Sequence, residues 1–168
     1  AAERLFSLKL TKDGDYVWHH QTLSVNICTA RRCAIDDEGG FYMVGAVNGD
    51  VDFTGTGTAY TSSIGNDDSY IFKLDSSGVF QWVRRYGNAQ DDAINQVVFD
   101  GQQIILSGHF TDSININPTG TEVNHIQYGY LSSYIQVLSP SGQHINSMVV
   151  AGGVFFKSLE VTKRGELF

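Results

Sequence analysis

The sequence predicts an all-β chain built on an internal repeat. Three observations carry this: turn residues recur at a fixed period, strand-like segments flank each turn in the same order, and the composition disfavours helices. The chain has 168 residues, with 18 Gly, only 2 Pro, 10 Phe and 8 Tyr. Runs of Ala, Leu, Glu or Lys that could sustain a helix are few, whereas aromatic and β-branched residues suit pleated, half-buried surfaces.

The repeat is read from the turns outward. Lys12-Asp13-Gly14 recurs as Ser76-Ser77-Gly78 and again as Ser141-Gly142 after Pro140, so Gly14, Gly78 and Gly142 lie 64 apart. Before each turn stands a strand-like segment: LFSLKL from Leu5, YIFKLD from Tyr70, YIQVLS from Tyr134. After it comes YVWHHQ from Tyr16, FQWVRRY from Phe80 and HINSMVV from His144. Trp18 and Trp82 correspond, and the third copy has Asn146 there. A third segment follows as CAIDDEGG from Cys33, VVFDG from Val97 and LEVTKRG from Leu159. The fourth is FYMVGAV from Phe41, IILSGHF from Ile104, and ELF at Glu166-Leu167-Phe168. Gly45 and Gly108 align at a spacing of 63.

Each unit therefore comprises four short strands. Segments such as Tyr70, Ile71, Phe72 and Leu74 are apolar on both faces, as expected of a sheet lying between other sheets. A four-stranded unit repeated every 63 or 64 residues predicts a β-propeller of four-stranded antiparallel blades. About 2.7 repeats are present, over residues 5–68, 69–132 and a shorter 133–168. The long connections after Gly45 and Gly108 contain matching Val51-Asp52-Phe53 and Ile114-Asn115-Ile116, which predicts a short strand or hairpin inside each. Propellers need about four blades to surround their axis. The missing blades are expected from further chain or a homo-oligomer. The start at Ala1-Ala2-Glu3, with no initiating Met or leader, reads as a processed chain or a fragment.

On these residues the sequence resembles the bacterial β-propeller repeats called SBBP. The second copy carries the likeness best, in DSYIFKLDSSGVFQW and YGNAQDDAINQVVFDGQQIILSG. The first keeps KLTKDGDYVW and CAIDDEGGFYMVG but has Val25-Asn26-Ile27-Cys28 in place of the acidic stretch, and the third keeps SYIQVLSPSG and LEVTKRGELF. The resemblance implies a secreted or cell-surface bacterial protein. It supplies no catalytic residues.

Charge excludes one class of partner. The net charge is −7, and the 11 Lys and Arg are scattered, so no basic stripe is available to a nucleic acid. Arg31-Arg32 and Arg84-Arg85 are the densest basic spots and read as solvated strand edges. No apolar run approaches the ~18 residues of a membrane span.

Candidate chemistry reads mostly as structure. Neighbouring residues of a strand point to opposite faces, so Asp67-Asp68 and Asp91-Asp92 do not converge as acid pairs. Asp36, beside Asp37-Glu38, and Asp100 stand before tight turns, where Asp bonds its own backbone. Asn48-Gly49-Asp50-Val51-Asp52 offers alternating oxygens but lacks the distal Glu of a calcium loop. His19, His20, His109, His125 and His144 form no metal motif, and Ser107-Gly108-His109 has no nucleophile elbow around it. Gly55-Thr56-Gly57-Thr58 lacks the Lys of a phosphate loop. Trp18 and Trp82, repeated in the frame, are expected in the core between blades. Cys28 and Cys33 lie about 17 Å apart in extended chain, and a turn between them is needed for a bridge. The expectation is a non-enzymatic scaffold or binding module with no cofactor or metal, whose partner is a protein or glycan. Alternatives are a fragment of a secreted glycan-cleaving propeller enzyme and a calcium-dependent lectin.

Overall fold

A computed structural model describes residues 4–126, 131–162 and 165–168. The start of the chain, the end of the second long connection and two residues of the LEVTKRG segment lie outside them. All regular structure among the described residues is β, with fifteen strands and no helix.

Two four-stranded antiparallel sheets dominate. The first runs in the order β4 (Ile27–Ile35), β5 (Phe41–Asn48), β8 (Asp68–Leu74), β9 (Phe80–Tyr86). The second runs β10 (Ala93–Phe99), β11 (Ile104–Phe110), β14 (Ser132–Leu138), β15 (His144–Ala151). Ahead of them β1 (Phe6–Leu10) and β2 (Tyr16–Gln21) form a two-stranded sheet. Both long connections fold into hairpins, as their matching patterns predict. In the first, β6 (Asp50–Asp52) pairs with β7 (Tyr60–Ser62) and with β3 (Leu23–Ser24); in the second, β12 (Ser113–Asn115) pairs with β13 (Asn124–Ile126). Beyond β15 the described residues form one isolated antiparallel bridge, Val161 to Leu167.

The sheets are out of phase with the sequence copies. β4 and β5 belong to the copy that starts at Leu5, but their sheet is completed by β8 and β9 of the next. The second sheet likewise joins β10 and β11 to β14 and β15 of the third copy. Within this offset the registers match. Gly45 faces Tyr70 as Gly108 faces Tyr134, and Arg31 and Asn95, 64 apart, are the bulged residues of β4 and β10. The turns repeat their bonding too. The Thr11 hydroxyl, the Asp75 carboxylate and the Ser139 hydroxyl each accept the backbone N–H four residues on, at 3.0, 3.0 and 3.1 Å.

Apolar layers lie between successive sheets. Leu5, Trp18, Met43, Val47, Phe72 and Leu74 fill the space between β1–β2 and the first four-stranded sheet. Tyr42, Ile71, Tyr86, Ile94, Leu106 and Tyr134 fill that between the two large sheets. Tyr70, Ile71, Phe72 and Leu74 are all 0% exposed, so β8 is covered on both sides as expected. Each such side chain contributes ~1.5–3 kcal/mol of burial free energy. Their counterparts on β1 differ: Phe6, Leu8 and Leu10 are 58%, 49% and 48% exposed.

A recurring lock joins one sheet to the next. The Trp18 indole lies over Gly78 and donates from Nε1 to the Ser76 carbonyl at 3.0 Å. Trp82 lies over Gly142 and donates to the Pro140 carbonyl at 3.3 Å. Lys9 and Lys73 reach the same two carbonyls, at 3.1 and 3.5 Å. Gly78 adopts φ +83°, open to glycine at little cost, and a Cβ there would meet the Trp18 ring at 2.6 Å. Trp18 is buried as expected; Trp82, on edge strand β9, is only half-buried.

Candidate functional site

Where the two large sheets meet, a cleft of about 440 Å³ opens between β4, β10, β11 and the segment after β15. A β-bulge withdraws one residue from the ladder and re-aims its side chain. Here two bulges do so side by side: Arg31 Nη1 donates to Asn95 Oδ1 at 2.9 Å. That fixes the Asn95 amide, whose Nδ2 then donates to Nδ1 of His109 at 3.0 Å. Neutral His109 consequently carries its proton on Nε2. Burial, and then the Arg31 charge, hold His109 below its usual pKa.

The far wall comes from the third copy. Phe155 packs edge-on against His109, with ring centroids 5.2 Å apart, and Lys157 Nζ lies 5.5 Å from the Phe155 centroid. Gln96 Nε2 donates to the Lys157 carbonyl at 2.9 Å and ties this wall to β10. Arg32 bonds back to the Arg31 carbonyl at 2.9 Å. Arg31, Arg32 and Lys157 make no ion pair among the described residues, and no carboxylate lines the cleft. The result is a cationic recess in a chain of net charge −7.

The residues singled out in the sequence are mostly structural. Asp36 accepts the Glu38 and Gly40 N–H groups at 3.1 and 2.6 Å, and Asp100 accepts those of Gln102 and Gln103 at 2.8 and 2.6 Å. Both close their turns, as expected. Asp36 also takes the Tyr42 hydroxyl at 2.8 Å and pairs with Lys73 at 3.2 Å. Burial raises its pKa, but these donors outweigh it and hold the carboxyl below its usual range. Burial likewise pushes Asp52 up, yet bonds from Thr54, Gly57 and Thr58 bring it to about 2. Those bonds engage both Asp52 oxygens within the Gly55-Thr56-Gly57-Thr58 loop. Asp50 is held by Ser62, and Asn48 donates to Asp67. Among the described residues no three His, Cys, Asp or Glu side chains are placed to hold a metal ion.

His19 and His20 take opposite faces of β2; His19 bonds Tyr16 and His20 the Phe53 carbonyl. Ser107 is fully buried and makes no bond to His109. Cys28 and Cys33 are free thiols, the first buried and the second exposed. Burial pushes the Cys28 thiol up to about 12, against a bond from Tyr70.

One acidic arrangement lay beyond local reading. Asp68 and Asp92, from different sequence pairs, are both buried near one another at the seam of the two large sheets. Asp68 pairs with Arg85 and accepts Ile64 N–H at 2.7 Å, while Asp92 accepts Asn88 N–H at 3.0 Å. Burial raises Asp92 to about 7, helped by the Asp68 and Asp91 charges and opposed by backbone donors. Folded protein thus holds a proton that the unfolded chain releases near pH ~3.9. The stability Asp92 contributes is highest below that pH, falls as pH rises toward 7, and is constant above it. Asp92→Asn is expected to flatten this dependence and to add ~1–3 kcal/mol at pH 7.5 relative to pH 4.5. Urea unfolding of both proteins at the two pH values measures it; parallel curves would contradict the assignment.

The cleft was missed because Arg31-Arg32 read as a solvated edge and His109 as structural. A signal existed: in the repeat frame Arg31 falls on Asn95 and Leu159, and His109 falls on Ala46. Unlike residues at equivalent positions mark a place that the repeat does not need for packing.

No protein-family model matches the chain, and no curated protein matches its sequence.

Proposed function

We propose that the chain is part of a β-propeller of the SBBP type, acting without catalysis as a binding module of a secreted or cell-surface protein that engages a glycan or a protein. The observation that carries the functional half is the cleft. Three successive copies build it from residues that differ between copies, and its wall offers cations, amides, an imidazole and an aromatic ring but, among the described residues, no carboxylate, hydroxyl or thiol side chain. Such a wall suits holding a ligand rather than cleaving one. The propeller half is supported by the lock recurring at 64 residues, Trp18 on Gly78 and Trp82 on Gly142, which stacks sheet after sheet in the same sense. The extracellular setting rests on the motif resemblance.

The test is to screen the immobilised chain against a panel of glycans and surface proteins, and to recover each bound glycan after prolonged incubation. Retention of an intact partner is expected. New reducing ends on a bound glycan would instead make the chain part of an enzyme.

A further inference from the structure

We propose that the cleft between β4, β10 and the segment after β15 binds an anionic sugar, its carboxylate or sulfate held by Arg31, Arg32 and Lys157. This rests on the binding-module reading and names the ligand chemistry it leaves open.

The first ground is unmet charge. Arg31 spends one of its five N–H donors on Asn95, and that bond fixes the guanidinium rather than neutralising it. Lys157 is placed over the Phe155 ring with no carboxylate near it among the described residues. Elsewhere the chain pairs cations that sit against acids: Lys73 with Asp36, Arg85 with Asp68, Lys12 with Asp13. Arg is suited to the group it lacks here, since its planar fork matches the oxygens of a carboxylate or sulfate.

The second ground is the rest of the wall. The Nε2–H of neutral His109 and the Gln96 Oε1 have no partner among the described residues, so the cleft offers one donor and one acceptor beside the cations. Phe155, 47% exposed, adds an apolar surface. Hydroxyls need such mixed partners, and C–H faces need such a ring; a sugar has both. A volume of about 440 Å³ lies within the ~300–1,000 Å³ of small-ligand sites.

The third ground is the charge outside the cleft. A nucleic acid strand places a phosphate every ~3.4 Å and needs a long basic track. This recess is short, and the chain around it carries a net charge of −7. An anionic group on an otherwise neutral sugar meets the cations without setting further negative charge against the acidic surface.

The experiment measures binding of a neutral oligosaccharide ending in a single uronic acid, a monosulfated oligosaccharide, maltotetraose and an oligothymidylate to the whole chain by calorimetry. Binding of at least one of the two anionic sugars is expected, with maltotetraose and the oligothymidylate at least tenfold weaker. The tighter of the two sugars identifies carboxylate or sulfate as the preferred group. Arg31→Gln and Lys157→Gln should each weaken binding roughly tenfold, the loss of one charge-assisted hydrogen bond. Lys12→Gln, far from the cleft in the first turn, should leave it unchanged. Lys157 makes no side-chain hydrogen bond among the described residues, so its variant reads out binding even if Arg31→Gln lowers the melting temperature. The proposal is overturned if neither anionic sugar binds, if maltotetraose or the oligothymidylate binds as tightly, or if Lys157→Gln binds like the parent. Cleavage of a bound sugar would refute the non-catalytic reading and leave the cleft assignment standing. Failure of the anionic sugars, with another glycan or a protein retained, would do the reverse.

Discussion

Gly108→Ala is expected to cost at least ~3 kcal/mol, a large share of a typical ~5–15 kcal/mol stability. The requirement is one of space. Gly108 lies in β11, where a Cβ would overlap the Ala93 carbonyl oxygen and sit 2.6 Å from the Tyr134 ring. Gly45 repeats the arrangement in β5: a Cβ there would overlap the Thr29 carbonyl and approach the Tyr70 hydroxyl to 2.7 Å. In each case one obstacle is backbone of the adjoining strand and the other is a tyrosine that is 0% exposed, so neither can yield cheaply. Tyr70 is further tied by its bond to the Thr29 carbonyl at 2.8 Å. Thermal unfolding of Gly45→Ala and Gly108→Ala should show losses of similar size, since the two sites are equivalent. At ~2–4 °C per kcal/mol for a chain of this size, each melting point should fall by about 10 °C. A variant melting within a degree or two of the parent would mean that the strands do not approach as closely as described.

Trp18→Ala is the second large expected effect, at ~3–5 kcal/mol. The indole is 9% exposed, fills the layer between β1–β2 and the first large sheet, and covers Gly78. Its removal leaves a cavity against Phe41, whose ring stands edge-on at 6.4 Å, and frees the Ser76 carbonyl from one of its two donors. Trp82→Ala removes the same lock one copy later from a half-buried position, so a smaller loss is expected there. Urea unfolding followed by circular dichroism gives both numbers. The ordering matters more than either value: a Trp82→Ala loss equal to or above that of Trp18→Ala would contradict the packing assigned to β1–β2.

Much of this was legible in the sequence because turns are local. Gly78 and Gly142 need only their neighbours to specify a turn, and Asp36 and Asp100 bond within four residues of themselves. The apolar run through Tyr70 and Leu74 announced a strand covered on both sides, and the hairpins at Val51 and Ile114 followed from pattern alone. The phase of the sheets was hidden. A four-strand repeat has the same period wherever it is cut, and the pairing of β5 with β8 depends on contact across the whole β6–β7 hairpin. The cleft was hidden for a related reason. Arg31, His109 and Lys157 are separated by 78 and then 48 positions, and only the bulges and the stacking bring them together. The half-burial of Trp82 is not legible from the repeat, since Trp18 holds the same position on an edge strand and is buried.

The offset between copies and sheets also bears on how such a chain can change length. The second copy lends β8 and β9 to one large sheet and β10 and β11 to the next, like a tile that overlaps a seam. A copy excised on its own carries two half-sheets with unlike partners and cannot close either. Gain or loss of 64 residues, however, rejoins equivalent points of the frame wherever the cut falls, because the strand before the junction still meets the strand it would have met. Recombination need not respect a sheet boundary to leave every sheet whole. Growth by whole periods is therefore permitted at any loop, while deletion of two successive strands of the large sheets shifts all later strands into the wrong sheet.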